Sequence, residues 1–173
     1  MIKDAIFSPC RKYRYTLRRI FDQERFEKEG ACTFICLNPS TADETTDDPT
    51  VRRCINYAKE WGYPAFIMLN LFAFRATEPA DMKATGNTVD NSTHHENNNQ
   101  ILEACRNSAI VVAAWGNHGE DQNRSEDIEL FLDFYNIELH CLKINSATRM
   151  PAHPLYLKKD LKPKLLKKMR LRP

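Results

Sequence analysis

Polar side chains that can form directed hydrogen bonds stand where several predicted strands end. Asn38 follows an apolar, β-prone stretch, Asn70 ends part of a second, Asn117 follows a third, and His153 lies in an irregular segment after a fourth. Because ligands bind in the crevice outside the carboxyl ends of parallel strands, we expect these residues to converge on one pocket. A single Asn before proline is usually a turn residue, so the prediction depends on the repetition at successive strand ends.

Three neighbouring residues extend this candidate site. Pro39 and Ser40 follow Asn38 directly, and Arg75 comes shortly after the second strand. An amide offers both a donor and an acceptor, and an arginine can grip a phosphate or carboxylate through two parallel hydrogen bonds. The predicted pocket therefore suits a polar ligand with several hydrogen-bonding groups.

An acidic, hydroxyl-rich loop follows Asn38, from Ser40 to Asp48. One of Asp43, Asp47 and Asp48 could activate a water molecule if a pocket raised its pKa. The same carboxylates could instead bind a divalent ion in a small-molecule enzyme. The sequence leaves both alternatives open.

The elements that must position these residues alternate between strands and helices. Asp48-Pro49 is typical of a helix start, and Gly62 of a helix end. A strand–helix–strand order favours parallel pairing, so the predicted fold is α/β, a three-layer sandwich around a mostly parallel four-stranded sheet. The predicted strands span residues 31–37, 65–74, 109–115 and 138–143, and the predicted helices span 48–61, 90–105 and 125–135, the last capped by Ser125.

Two basic segments flank this core. Near the N-terminus, Tyr13, Tyr15 and Leu17 alternate with arginine and threonine, which is the pattern of a half-exposed strand. That strand is either an edge strand protected by charge or a grip for a nucleic-acid backbone. Residues 158–173 contain six lysines and two arginines, and a solvated helix face is favoured there over a phosphate-binding tail.

Composition sets wider bounds. A chain of 173 residues suits one domain, spanning 1–173, and 42% hydrophobic residues allow it a real core. Six cysteines without a Cys-x-x-Cys pair favour buried free thiols over disulfides or zinc, and we expect no metal or cofactor. The start of the chain lacks the apolar core of a signal peptide, and no apolar run approaches membrane-spanning length. These features predict a cytoplasmic setting, and they leave the oligomeric state open.

The motifs at the strand ends resemble those of the uracil-DNA glycosylase superfamily. Leu-Asn-Pro-Ser at 37–40, Asn-Leu-Phe-Ala-Phe-Arg at 70–75, Val-Val-Ala-Ala-Trp-Gly-Asn at 111–117 and His-Pro-Leu at 153–155 occur in the order of that superfamily's motifs. The resemblance spans roughly residues 31–157 through these short segments. It implies a uracil-DNA glycosylase-like fold with a pocket for a nucleobase. The chain departs from the superfamily at Cys36, where glycine is usual, and at Leu155, where serine is usual.

Carried over residue by residue, the resemblance implies a division of labour. Asn38 would orient a water molecule toward the anomeric carbon and stabilise positive charge on the sugar. Asn70 would read the edge of the base with its amide, and His153 would support the departing base anion. Asp43 has no counterpart in the superfamily and enters only as a candidate for activating the water.

A second resemblance is closer but implies no activity. Asn-Pro-Ser-Thr-Ala-Asp at 38–43, Asp-Pro-Thr-Val-Arg-Arg at 48–53 and Asn-Leu-Phe-Ala-Phe-Arg-Ala-Thr at 70–77 resemble a bacterial and phage family known as a domain of unknown function. The leading hypothesis is thus a glycosylase-like protein that recognises a nucleobase, in DNA or as a nucleotide, and hydrolyses its N-glycosidic bond. The first alternative is a non-catalytic nucleic-acid or nucleotide binding module on the same fold. The second is a small-molecule enzyme that uses the acidic loop 43–48.

Overall fold

The computed structural model describes residues 1–78, 80 and 91–166, and a seven-stranded sheet forms its centre. The strands are β1 (Ile2–Phe7), β2 (Arg14–Ile20), β3 (Ala31–Cys36), β4 (Ala65–Asn70), β5 (Ser108–Ala113), β6 (Leu139–Cys141) and β7 (Lys164–Leu165). The helices are α1 (Gln23–Glu29), α2 (Pro49–Glu60), α3 (Asn91–Arg106) and α4 (Arg124–Phe134), with 3₁₀ turns at Asn117–Asn123 and Pro154–Tyr156. The strands lie in the order β1-β2-β4-β3-β5-β6-β7.

The prediction of a mixed α/β fold is confirmed, but the sheet has seven strands rather than four. The predicted strands form the parallel centre, in which β3 pairs with β4 and β5, and β5 pairs with β6. The extra strands extend it antiparallel: β1 and β2 beside β4, and the two-residue β7 beside β6. The two edge strands, β1 and β7, lack the long apolar runs by which the central strands were found, and β2 has three arginines among its apolar residues.

The prediction of a half-exposed edge strand near the N-terminus is wrong. β2 lies between β1 and β4, so β1 is the edge. Almost all of β2 is buried, including Arg14 and Arg19. Arg14 and Arg19 contact the acidic loop, as described below, whereas Arg18 pairs with Asp4 of β1.

Helices cover both faces of the sheet because the side chains of its strands alternate between two cores. Phe34 and Cys36 of β3 pack with Val51 and Cys54 of α2 on one face. Ile35 of β3 packs on the other face with residues of α3 and α4. The result is the expected arrangement of three layers, α/β/α, around the parallel strands.

The start of α2 agrees with the prediction, whereas the start of α4 differs from it. The Asp48 side chain accepts a hydrogen bond from the backbone N–H of Val51 and caps α2, as predicted. The prediction that Ser125 caps α4 is wrong: Ser125 is buried within the first turn, and Asn123, at φ +57°, precedes the helix. The left-handed backbone at Asn123 comes from a kinked turn that the sequence pattern did not reveal.

Several smaller predictions can also be compared with the structure. All six cysteines are free thiols, and five are buried, whereas Cys10 is exposed.

The described part of the basic tail, 158–166, forms loops and β7 rather than a helix, and residues 167–173 lie outside the described residues. Residues 81–90 also lie outside them. No helix in the described ranges has both the length and the apolarity needed to cross a bilayer.

The order of the parallel strands creates one point where successive connections leave in opposite directions. From β3 the chain moves to β4 on one side, and it then returns past β3 to β5 and β6. The switch point therefore lies between the carboxyl ends of β3 and β5, the position at which doubly wound sheets bind ligands. Asn38 follows β3 and Gly116 follows β5, so both stand at this switch point.

Candidate functional site

The side chain of Asn38 connects the end of β3 to the segment that follows β4 by hydrogen bonds. Its Nδ2 donates to the carbonyl of Ala76 at 2.7 Å and to that of Pro39 at 3.1 Å. The backbone N–H of Ala76 returns a bond to the Pro39 carbonyl at 2.8 Å. These bonds fix the plane of a half-buried amide and leave its Oδ1 as the atom that can accept a hydrogen bond from a ligand or water.

Asn70 is a buried amide with one unsatisfied end. Its side chain lies at the last position of β4, opposite Cys36 of β3, and the residue is only 1% exposed. Oδ1 accepts from Nη2 of Arg14 at 3.2 Å, which sets the orientation of the amide. Nδ2 of Asn70 and Nε of Arg14 are both buried without an acceptor among the described residues. Burying a donor in this way costs about 1–3 kcal/mol, so such groups call for an explanation.

Two buried arginines of β2 hold the acidic loop from beneath. Arg14 donates to the carbonyl of Ala42 at 3.0 Å, and Arg19 donates to the carbonyl of Asp43 at 2.6 Å and pairs with the Asp47 carboxylate at 2.7 Å. Burial lowers the pKa of Arg14 to about 10, so the guanidinium stays charged at neutral pH. Neither arginine was predicted to belong to the site, although their positive charges complement the negative charges of the acidic loop 43–48.

The carboxylates of the loop are engaged in protein contacts. Asp43 Oδ1 accepts from the backbone N–H groups of Thr45 and Thr46, both at 2.8 Å, and from the Thr45 hydroxyl. These bonds lower the pKa of Asp43 to about 2, which suits a turn-forming carboxylate better than a base. Glu44 makes a bidentate pair with Arg11. No group of three or more potential metal-ligating side chains occurs among the described residues.

His153 lies against the end of β5. A Cβ added at Gly116, whose φ is +73°, would stand 3.4 Å from the His153 Cβ. The imidazole Nδ1 accepts from the backbone N–H of Leu155 at 3.4 Å, so the neutral ring carries its proton on Nε2. Burial lowers the pKa of His153, and the nearby charge of Asp48 opposes that shift in part. His153 is therefore a neutral hydrogen-bond donor at physiological pH.

The remaining predicted residues divide between two places. Arg75 donates from Nε to the Ser40 carbonyl at 3.4 Å, and its guanidinium lies 5.1 Å from the centre of the Phe7 ring. These contacts place Arg75, Ser40 and Pro39 together at the ends of β3 and β4. Asn117 is exposed, and its Oδ1 accepts bonds from the side chains of Asn145 and Thr148 at 2.6 and 2.8 Å. Asn117 thus belongs to a hydrogen-bonded cluster of its own.

Four cavities formed by described residues, of about 590, 530, 400 and 380 Å³, have linings that do not include Asn38, Asn70 or His153. The cavity of about 590 Å³ lies at the opposite rim, where Gly30 precedes β3 and Ser108 begins β5. At the carboxyl rim, Asn70 is buried, whereas Asn38 and His153 are half-buried.

The arrangement offers mainly donors to a ligand. Asn70 Nδ2 and Arg14 Nε are unsatisfied, and His153 presents Nε2–H. Asn38 contributes the acceptor Oδ1. A ligand with carbonyl oxygens or with a developing negative charge would match these groups, whereas a cation would not.

Comparisons with known proteins identify a family but no activity. No curated protein and no solved structure matches the chain. A family model described as a protein of unknown function (DUF1643) matches residues 14–155, which include β2, the acidic loop and the carboxyl rim through His153. The resemblance to a domain of unknown function is thereby confirmed, and the chain belongs to the DUF1643 family.

Proposed function

We propose that this chain recognises a nucleobase at the carboxyl rim of its sheet and hydrolyses the N-glycosidic bond of that base. The observation that supports this most directly is the buried amide of Asn70. Arg14 holds its oxygen, and its Nδ2 donor has no acceptor among the described residues. A base carbonyl would supply that acceptor, and the orienting bond from Arg14 would make the amide selective for a base edge that presents one.

His153 would act on the leaving base. A base that departs from a sugar carries negative charge on its ring and carbonyl oxygens, and a fixed donor aimed at that charge lowers the barrier. The neutral imidazole offers Nε2–H because the backbone N–H of Leu155 occupies Nδ1. Because the imidazole is neutral, it can stabilise the developing anion without the free-energy cost of burying a positive charge.

Asn38 would position the attacking water. Its Nδ2 is bound to the carbonyls of Ala76 and Pro39, so the direction of Oδ1 is set before a ligand arrives. An amide oxygen can accept a hydrogen bond from water and stabilise positive charge on the sugar. It is too weak a base to remove a proton from that water. This limits the role of Asn38 to orientation and electrostatics.

Loop 40–48 would control access to Asn70. Arg14 contacts both the Ala42 carbonyl and the Asn70 amide, so the loop and the base-reading group share one support. A base that enters must move Ala42, which is fully buried. Loops that close over a site exclude water and complete the catalytic geometry, and this loop is placed for that task.

A base-release assay tests the proposal. Full-length protein is incubated with single- and double-stranded DNAs that carry normal or modified bases, and with free nucleotides, and released bases are separated and quantified. We expect the wild type to release at least one base, and Asn38→Ala to be slower by roughly 100-fold, the usual cost of a lost preorganised electrostatic contact. Asn107→Ala is the matched control, because Asn107 is an exposed amide at the opposite rim. Equal rates in the wild type and Asn38→Ala would remove Asn38 from the mechanism.

A second candidate function is binding without turnover, and the engagement of the loop carboxylates favours it. Asp43 accepts three hydrogen bonds within its own turn, and Asp47 pairs with Arg19. Neither is poised to take a proton from water. If the chain binds a nucleotide saturably while no base is released from any substrate, the binding module is the better assignment.

A further inference from the structure

Tyr156 is an exposed aromatic side chain at the lip of the carboxyl rim. The residue is 87% exposed, and its ring centroid lies 6.4 Å from that of His153, with the ring planes inclined at 47°. It follows His153 by one short 3₁₀ turn, Pro154–Tyr156. A ring this exposed has a free face on which a base can stack, and it lies beside a candidate site residue.

A row of lysines continues from this tyrosine. The strap, defined as residues 156–164, carries four lysines and one acidic residue, and all five of these side chains are exposed: Lys158, Lys159, Asp160, Lys162 and Lys164. Residues 159–160 form a turn within this segment. Tyr156 and the four lysines thus lie in one short, exposed and positively charged segment that follows His153 in the chain.

The backbone of the strap is fastened to α2. Two side chains of that helix and Trp61, which directly follows it, donate to strap carbonyls: Arg53 to Leu157, the Tyr57 hydroxyl to Lys158, and Trp61 Nε1 to Leu161 at 3.1 Å. The Trp61 ring stacks on Phe34 of β3 with the centroids 5.9 Å apart, which ties this anchor to the core. Because the carbonyls are held inward, a partner does not have to order the strap, and less binding free energy is lost.

We propose that the strap binds single-stranded nucleic acid. Tyr156 would stack on the base next to the one held at His153, and the lysines would contact the following phosphates. Exposed aromatic rings that alternate with cationic side chains are the usual means of holding a single strand, because every base has a face for stacking and every linkage has a charge. The inference rests on the proposed function for the role of His153, and it names the substrate as a polymer rather than a free nucleotide.

Fluorescence anisotropy with a labelled single-stranded oligonucleotide of mixed sequence, in DNA and RNA forms, tests the strap. The loss of one stacked base corresponds to about 5- to 150-fold in Kd, so we expect Tyr156→Ala to weaken binding within that range and Tyr156→Phe to retain it. Phe134→Ala is the control, since Phe134 is also highly exposed, at 79%, but lies on α4. It should change Kd by less than twofold.

The salt dependence tests the lysines separately. Four phosphate contacts to a single strand predict a slope of log Kobs against log salt of roughly −2.8, and removing two of them should reduce its magnitude by roughly 1.4. We expect this reduction in the double variant Lys158→Ser and Lys159→Ser, and none in Lys28→Ser, a matched change of an exposed lysine on α1.

Three results would overturn the inference. The first is equal weakening by Tyr156→Ala and Phe134→Ala, and the second is absence of oligonucleotide binding by the wild type. The third is tighter binding to anionic lipid vesicles than to the oligonucleotide, which would assign the strap to a membrane surface. Strand binding that depends on Tyr156 without base release would leave the strap assignment standing while the glycosylase proposal fails. Base release from free nucleotides without strand binding would support the glycosylase proposal and overturn the strap assignment.

Discussion

The buried ion pair between Arg19 and Asp47 should be one of the most sensitive points of the candidate site. Arg19 has no exposed side-chain surface, and Asp47 lies 2.7 Å away with little exposure. Removing one partner of such a pair leaves a buried charge uncompensated, which costs about 3–5 kcal/mol. Arg19 keeps its bonds to the carbonyls of Asp43 and Arg18, so we expect Asp47→Ala to cost about 3 kcal/mol, at the lower end of that range.

Equilibrium unfolding in urea measures this loss, with the free energy of unfolding extrapolated to water. Glu29→Ala is the control, because the pair of Glu29 with Arg25 on α1 is solvent-exposed and should contribute little to stability. In the double variant Arg19→Met and Asp47→Ala much of the stability should return, since no unpaired charge remains. A cost for Asp47→Ala below about 1 kcal/mol, or one equal to that of Glu29→Ala, would refute the reasoning that β2 anchors the acidic loop through a buried charge.

Three further predictions concern the core, the strap and a titrating group. Gly119→Ala should lower the free energy of unfolding by about 1–3 kcal/mol in thermal or urea unfolding, because the added Cβ would lie 2.0 Å from Cδ1 of Trp115; a neutral effect would contradict this packing. Trp61→Phe should cost about 1 kcal/mol by the same measurement, through loss of the bond to the Leu161 carbonyl. The lowered pKa of His153 means that its contribution to stability is present above pH 6.5 and is lost as pH falls through the folded-state pKa. Unfolding measured from pH 7.5 to 5 should therefore show a fall in stability that His153→Gln reduces, and identical pH profiles would contradict it.

The parallel centre of the sheet could be predicted from the sequence because its strands are long apolar runs. β3 and β4 are buried at every position. Their sequences are nearly continuous apolar runs without the spacing of an amphipathic helix, and such runs are typical of interior strands. The cap at Asp48 follows from its side-chain oxygen, and the turn after α2 from the freedom of Gly62 to adopt φ +84°. These parts of the fold are determined by residues close together in sequence.

The flanking strands and the support of the acidic loop could not be predicted in the same way. Arginines in a strand are ordinarily expected to face solvent. In the structure, Arg14 and Arg19 are buried against the loop at 42–47, which lies more than 20 positions later in the chain. An alternating pattern cannot distinguish an exposed arginine from one that is buried against carbonyls and a carboxylate. The arrangement depends on a long-range contact, and local periodicity contains no information about it.

The surroundings of the candidate residues could be predicted only in part. Asn38 follows β3, Asn70 ends β4 and His153 lies near Gly116 beyond β5, and their sharing of one ligand pocket stays a prediction. The sequence did not indicate that Asn70 is buried or that Asp43 is consumed by a turn. Both depend on how a loop folds over a rim, which is decided by the contacts with Arg14 and Arg19.

The measurement that bears most directly on the carboxyl rim is an NMR titration of the ¹⁵N-labelled full-length chain with nucleoside monophosphates and a short single-stranded oligonucleotide. We expect saturable shifts at the backbone amides of the non-proline residues in 36–43, 70–76, 114–117 and 153–156, together with the side-chain amide of Asn70, and loss of these backbone shifts in Asn70→Ala. Shifts confined to the opposite rim, around Gly30 and Ser108 where the cavity of about 590 Å³ lies, would contradict a nucleobase site at the carboxyl rim.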